Sequence, residues 1–207
     1  MLCIAGFLGS GKTTLLLRLA RTMTDDGLRL AIVENEIGEI GVDGGCVREA
    51  GLPVQELFGG CICCMLQTGL VETLRTIESE YDPDWVIVEP TGLAAPGDIA
   101  ATAGELLPHL PAFRILALVD AERWEMLMTV VSPLIQAQIG AAHVVAINKV
   151  DMIDDAALEE IEASVRRSNA SAPIVPVAAA AGTGLQRLYE EVPVSYTHLT
   201  LPTIYSV

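Results

Sequence analysis

The chain has 207 residues, a formal charge of −15, and 51 % hydrophobic but only 4 % aromatic residues. That length can bury one sizeable core without disulfide staples, and the charge excludes general affinity for nucleic acid or anionic membrane. No apolar run reaches the roughly 18 residues of a membrane span, no basic leader precedes "LCIAG", and five cysteines, an odd number, suit ligands, reactive thiols or core positions better than bridges, so cytoplasm is the expected location.

In chain order, the first predicted strand is 2–6, followed by "GFLGSGKTT" at 6–14 and a helix over about 12–24. This fits the phosphate-loop pattern G-x-x-x-x-G-K-[ST] in the strand-to-helix setting its mechanism needs. Gly6, Gly9, Ser10 and Gly11 would turn backbone N–H groups toward phosphate oxygens, and the helix adds its positive end. Lys12 would span the terminal phosphates, Thr13 would offer its hydroxyl to Mg²⁺, and Thr14 would face the inner phosphates. The chain has only two lysines, Lys12 and Lys149, and both fall inside motifs.

A second strand, 29–34, runs into "ENEIGEIGVDGG", with four carboxylates in ten positions. Read alone this is a solvated acidic loop. After the second strand of a phosphate-loop sheet it is where a nucleotide-sensing switch would lie, with Asp43 a candidate for Mg²⁺ and Glu34 and Glu39 better placed for a second metal. "GGCICC" follows at 59–64. In an extended segment Cys61 and Cys63 project to one side, about 7 Å apart at the backbone, close enough to share an ion, whereas Cys64 needs a turn to join them. Without a second cysteine pair to close a structural zinc site, the cluster reads as an open thiolate site; a buried small-residue turn and a redox pair are the alternatives. Cys3 reads as core.

A helix is expected at 68–80, then the strand 85–89 ending in "EPTG". Glu89 could hold Mg²⁺ through water, and Gly92 would let a loop approach the terminal phosphate and sense its loss. The strand 114–120 and helices 121–128 and 133–141 lead to the strand 143–148, which ends in "NKVD". There Asp151 would accept from the guanine N1–H and amino group while Asn148 and the stem of Lys149 frame the base; adenine would set a lone pair against the carboxylate. Asp154 is the expected amino cap of a helix 155–168, and 173–178 is the last strand. The alternation predicts an α/β domain over 1–192, a three-layer P-loop NTPase fold with a mostly parallel central sheet flanked by helices. Residues 193–207 contain no charged side chain, and "SYTHLTLPT" within them reads as a non-native or disordered tail.

Taken together, GFLGSGKTT, ENEIGE, GGCICC, EPTG and NKVD resemble the CobW-type metal-linked P-loop GTPases. The resemblance implies Mg²⁺-dependent GTP hydrolysis with Lys12, Thr13 and Glu89 in the catalytic set, coupled to transfer of a transition metal, zinc or cobalt, to a client metalloprotein or cobalt-insertion enzyme. It assigns the C-x-C-C signature to Cys61, Cys63 and Cys64 and the acidic ligands to Glu34 and Glu39. The resemblance also implies a smaller carboxyl-terminal domain, which is expected to lie outside residues 1–207. Slow turnover is expected because no arginine or glutamine is evident for the attacking water; a nucleotide-gated metal sensor or scaffold is the alternative. No nucleic-acid or membrane partner is implied, and a homodimer is compatible with the reading.

Overall fold

The computed structural model describes residues 1–34, 54–56, 77, 79–106 and 112–192. Cys46, Cys61, Cys63, Cys64, Glu39, Asp43, His109, most of the expected helix 68–80 and the tail 193–207 lie outside them.

Seven strands form one sheet among the described residues: β1 Leu2–Gly6, β2 Leu30–Glu34, β3 Val54–Glu56, β4 Trp85–Glu89, β5 Arg114–Asp120, β6 Val144–Asn148 and β7 Ile174–Pro176. Their order is β3-β2-β4-β1-β5-β6-β7, and every pairing is parallel. The helices are α1 Lys12–Asp25, α2 Pro96–Leu106, α3 Trp124–Val130, α4 Ser132–Gly140, α5 Asp155–Ser168 and α6 Leu185–Glu191.

The strands read as continuous apolar runs because both faces of the sheet are covered. On one face Leu2, Ile4, Ile32, Ile87 and Leu116 pack under Leu15, Leu16 and Leu19 of α1 and Leu188 of α6. On the other, Cys3, Val33, Val88, Ile115 and Val119 pack under Ile99 of α2, Leu127 of α3, Ile135 and Ile139 of α4, and Ile161 and Val165 of α5. Cys3 is thus core, and burial pushes its thiol up to about 12. Trp85 is buried, and Trp124 packs partly buried against the second cluster.

The expected strands and α5 recur with shifts of one or two residues at most. Asp154 caps α5 by accepting from Ala157 N–H at 2.9 Å, and Arg166 and Arg167 favour its last turn. The helix expected at 121–128 begins later, at Trp124, because Asp120 first accepts from the Arg123 N–H and holds residues 121–123 as a turn. Among the described strands and α-helices, three are new relative to the sequence reading: β3, α2 and α6.

The chain order reverses about β1, which lies between β4 and β5. In open parallel sheets a crevice opens beyond the carboxyl ends of the strands at such a point. Gly6, Glu34, Glu89, Asp120 and Asn148, all candidate or neighbouring site residues, end their strands on that edge.

Candidate functional site

At the centre of that edge the chain turns from β1 into α1 through residues 7–11. Ser10 N–H donates to Phe7 O at 3.1 Å, closing the turn. Gly9 and Gly11 stand at φ +75° and +93°, where L side chains are strained. At Gly11 a Cβ would also fall 2.5 Å from Asn148 Nδ2. Gly11 caps α1 without a side-chain bond, and no acidic residue occupies the first turn. The first N–H groups of a 14-residue helix therefore point into the crevice uncapped by side chains. The Ser10 hydroxyl, fully buried, has no hydrogen-bond partner among the described residues. This set of donors fits a phosphate.

Lys12 and Thr13 open α1 and face the end of β4. Thr13 Oγ1 donates to Glu89 Oε1 at 3.1 Å, and Lys12 Nζ lies 4.0 Å from the same oxygen. Burial lowers the Lys12 pKa and Glu89 opposes that shift without cancelling it. Thr13 and Glu89 together offer hard oxygen donors, the type Mg²⁺ takes. Thr14 is exposed one position on. Gly92 lies against the phosphate loop: a Cβ there would come 2.5 Å from Leu8 N and 3.0 Å from Phe7 C, so only glycine allows this approach.

On the other side Asn148 ties two segments together. Its Nδ2 donates to Ser10 O at 2.8 Å and its Oδ1 accepts from Ala179 N–H at 2.9 Å. Asn148 is buried, so both bonds are made in a low-dielectric setting. Lys149 follows at φ +65°, and Asp151 stands exposed in the 3-10 turn Val150–Met152. The Lys149 ammonium lies 3.0 Å from Asp120 Oδ2 and 2.9 Å from Glu122 Oε2. Burial pulls its pKa down, but Glu122 and Asp120 outweigh that and raise it.

Arg123 is a residue the sequence reading missed. Its Nη2 donates to Leu8 O in the phosphate loop at 2.6 Å, and its Nε donates to Asp120 Oδ2 at 2.7 Å. The guanidinium packs on Gly9, where a Cβ would fall 2.9 Å from Nη2. Nothing in "DAER" marks this arginine, because its partner Leu8 is 115 positions away.

The residues expected to bind nucleotide from 6–14, 89–92 and 148–151 thus meet along one edge of the sheet. Glu34 ends β2 in register with Glu89 at the end of β4, one strand spacing away.

A family model described as "CobW/HypB/UreG, nucleotide-binding domain" matches residues 1–176. The chain belongs to the CobW/HypB/UreG family. Among relatives, it is 32 % identical over 182 residues to the zinc chaperone YjiA of Escherichia coli, covering 84 % of this chain and 56 % of that protein. It is 36 % identical over 152 residues to the zinc chaperone CobW of Pseudomonas aeruginosa, covering 68 % and 37 %. The chain thus spans about half the length of the first relatives it matches. Among solved structures, Zn(II)-bound YjiA aligns with a TM-score of 0.58 at 25 % identity over 84 % of this chain and 55 % of that one. The hydrogenase maturation factor HypB of Archaeoglobus fulgidus aligns at 0.67 with 18 % identity over 92 % and 87 %, a likeness of fold. The family membership accounts for the three-layer fold and for the glycine-rich turn from β1 into α1.

Proposed function

We propose that this chain is the GTP-binding and GTP-hydrolysing part of a metal chaperone, in which nucleotide state controls the binding and release of a transition metal. The observation that carries the reading is the pairing of two ends on one edge: Asn148 bonded into the phosphate loop, and Thr13 and Lys12 set against Glu89. Asp151 would read guanine, with Asn148 and Lys149 framing the base. Gly6, Gly9, Ser10, Gly11 and Thr14 would hold the phosphates, with Lys12 on the terminal one.

Turnover would form a bond from the oxygen of an attacking water to the γ-phosphorus while the bridging bond to GDP breaks. Lys12 would balance the charge gathering on the β–γ bridge. With Mg²⁺ held by Thr13 and, through water, Glu89, negative charge on the β and γ oxygens would be neutralised; Asp43 is the candidate switch ligand. The cargo ion, zinc or else cobalt, would be taken by Cys61, Cys63 and Cys64 with Glu34 and Glu39. That the YjiA and CobW relatives are zinc chaperones supports zinc. The register of Glu34 beside Glu89 supports coupling, since movement at the Mg²⁺ end would be felt one strand away. The recipient would be a client metalloprotein or cobalt-insertion enzyme in the cytoplasm, with a homodimer as one form of the carrier.

A second reading, a nucleotide-gated sensor with negligible turnover, is favoured by one observation. Arg123, the arginine against the phosphate loop, is committed to Leu8 O and Asp120 rather than directed at a water. Affinities for GTP and ATP analogues, and phosphate release with and without Zn²⁺, decide the matter. GTP is expected to be preferred about a hundredfold or more, with slow release that responds to Zn²⁺. Equal affinity for ATP sinks the guanine reading, and no release under any condition leaves the sensor.

A further inference from the structure

The loop after β4 is held from behind by a side chain that lies outside the nucleotide motifs. Gln138 lies on α4 between Ile135 and Ile139, all three turned inward, and is only 2 % exposed. An amide in such a place is unfavourable unless its hydrogen bonds are made, and leucine or methionine would fill the space without that demand. Its Nε2 donates to Gly92 O and to Ala94 O, each at 3.2 Å. The loop closes on itself as well, with Ala94 N–H donating to Thr91 O at 3.0 Å. Its opposite side is pressed on the phosphate loop, where Gly92 leaves no room for a Cβ beside Leu8 N. Residues 91–94 are therefore clamped between the phosphate loop and α4.

We propose that Gln138 is a positioning residue that presets the E-x-x-G loop for the terminal phosphate, so that its two amide bonds determine how strongly the site distinguishes a nucleoside triphosphate from a diphosphate. The proposal rests on the nucleotide reading above and deepens it. With the carbonyls of Gly92 and Ala94 fixed, the peptides around Gly92 keep their orientation toward the phosphate loop before ligand arrives. The entropy of ordering that loop is then lost on folding rather than on binding. A diphosphate, lacking the group the loop meets, gains nothing from this preorganisation. If Gln138 served only to satisfy the Gly92 and Ala94 carbonyls, its loss would lower stability and weaken both nucleotides alike.

Gln138→Met keeps the volume and removes the donors. Its affinity for a non-hydrolysable GTP analogue is expected to fall about tenfold, the worth of one to two neutral hydrogen bonds, while GDP affinity stays within about twofold. Equal changes for the two nucleotides, no change, or tighter binding of the analogue overturns the proposal. Should that variant fail to fold, hydrogen exchange on the wild-type protein replaces it. The amides of residues 92–95 are expected to be as protected without nucleotide as with the GTP analogue, and protection that appears only on analogue binding overturns the preset. The wild-type protein binding GTP and ATP analogues equally would defeat the guanine reading alone. An unchanged triphosphate-to-diphosphate ratio in Gln138→Met, with guanine preference intact, would defeat the Gln138 proposal alone.

Discussion

The two ends of the carboxyl edge are built differently. At the base end the side chains of Asn148, Arg123 and Lys149 make bonds of 2.6 to 3.0 Å to the phosphate loop, to the segment at Ala179 and to the Asp120 carboxylate. At the phosphate end the contacts are longer: 3.1 Å from Thr13 to Glu89, 4.0 Å from Lys12 to Glu89, and 3.2 Å from Gln138 to the Gly92 loop. The base end is joined by protein alone, since the Asn148 side chain uses both donor and acceptor within the fold. The phosphate end presents Lys12, a Ser10 hydroxyl with no partner among the described residues, and first-turn helix N–H groups without a side-chain cap, which an anion would complete. On the proposed reading, one end would frame the ligand in advance, and the other would exchange protein contacts for ligand contacts.

The largest expected effect comes from breaking the base end. Asn148→Ala would leave the Ser10 carbonyl and the Ala179 N–H buried without their partner, at about 1–3 kcal/mol each. Chemical denaturation should register about 2–6 kcal/mol of lost stability, and guanine-nucleotide affinity should fall with it. A variant as stable as the wild type would show that this end is not pre-built. The phosphate end should respond the other way. Thr13→Ala removes one partly buried bond and is expected to cost about 1 kcal/mol of stability or less. Its phosphate release should drop on the order of a hundredfold, because an oxygen ligand for Mg²⁺ is gone. Turnover within about twofold of wild type would remove Thr13 from the catalytic set.

Much of this division could be read from the sequence, for physical reasons. The strands were legible because both-face burial demands uninterrupted apolar runs, and "VVAIN" or "RILALVD" carries that demand locally. The phosphate loop was legible because glycines at φ +75° and +93° must be written into the chain where they are used. β3 was missed because three residues, Val54–Glu56, carry no period. α2 was missed because it starts at Pro96 after "GLAA", an apolar small-residue stretch with little contrast between faces. Arg123 and Gln138 were illegible for a different reason. Each is defined by a backbone carbonyl distant in sequence, Leu8 for one and Gly92 for the other, and a carbonyl leaves no mark in the sequence. Of the residues that the resemblance assigns to the transition metal, Glu34 is described only through its strand register.

The smallest effect tests whether the base end is insulated from the opposite edge of the sheet. His143 precedes β6, five residues before Asn148, and its Nδ1 accepts from Ile115 N–H at 3.0 Å, which requires the neutral ring. Burial first, and then the Arg114 charge, lower its pKa below the ordinary histidine value. The unfolded chain therefore takes up this proton more readily than the folded one, so the His143 contribution to stability is present above about pH 6.5 and is lost as the pH falls through that value toward the folded pKa. Because the ring is largely exposed, the loss should be small. The difference in unfolding free energy between wild type and His143→Gln should be flat above about pH 7 and shrink below about pH 6. If β6 acts as a rigid strut, the ratio of their nucleotide affinities should stay constant over the same range. A ratio that follows the titration would mean that protonation at the foot of β6 is transmitted to Asn148, and that the base end is less insulated than its short bonds imply.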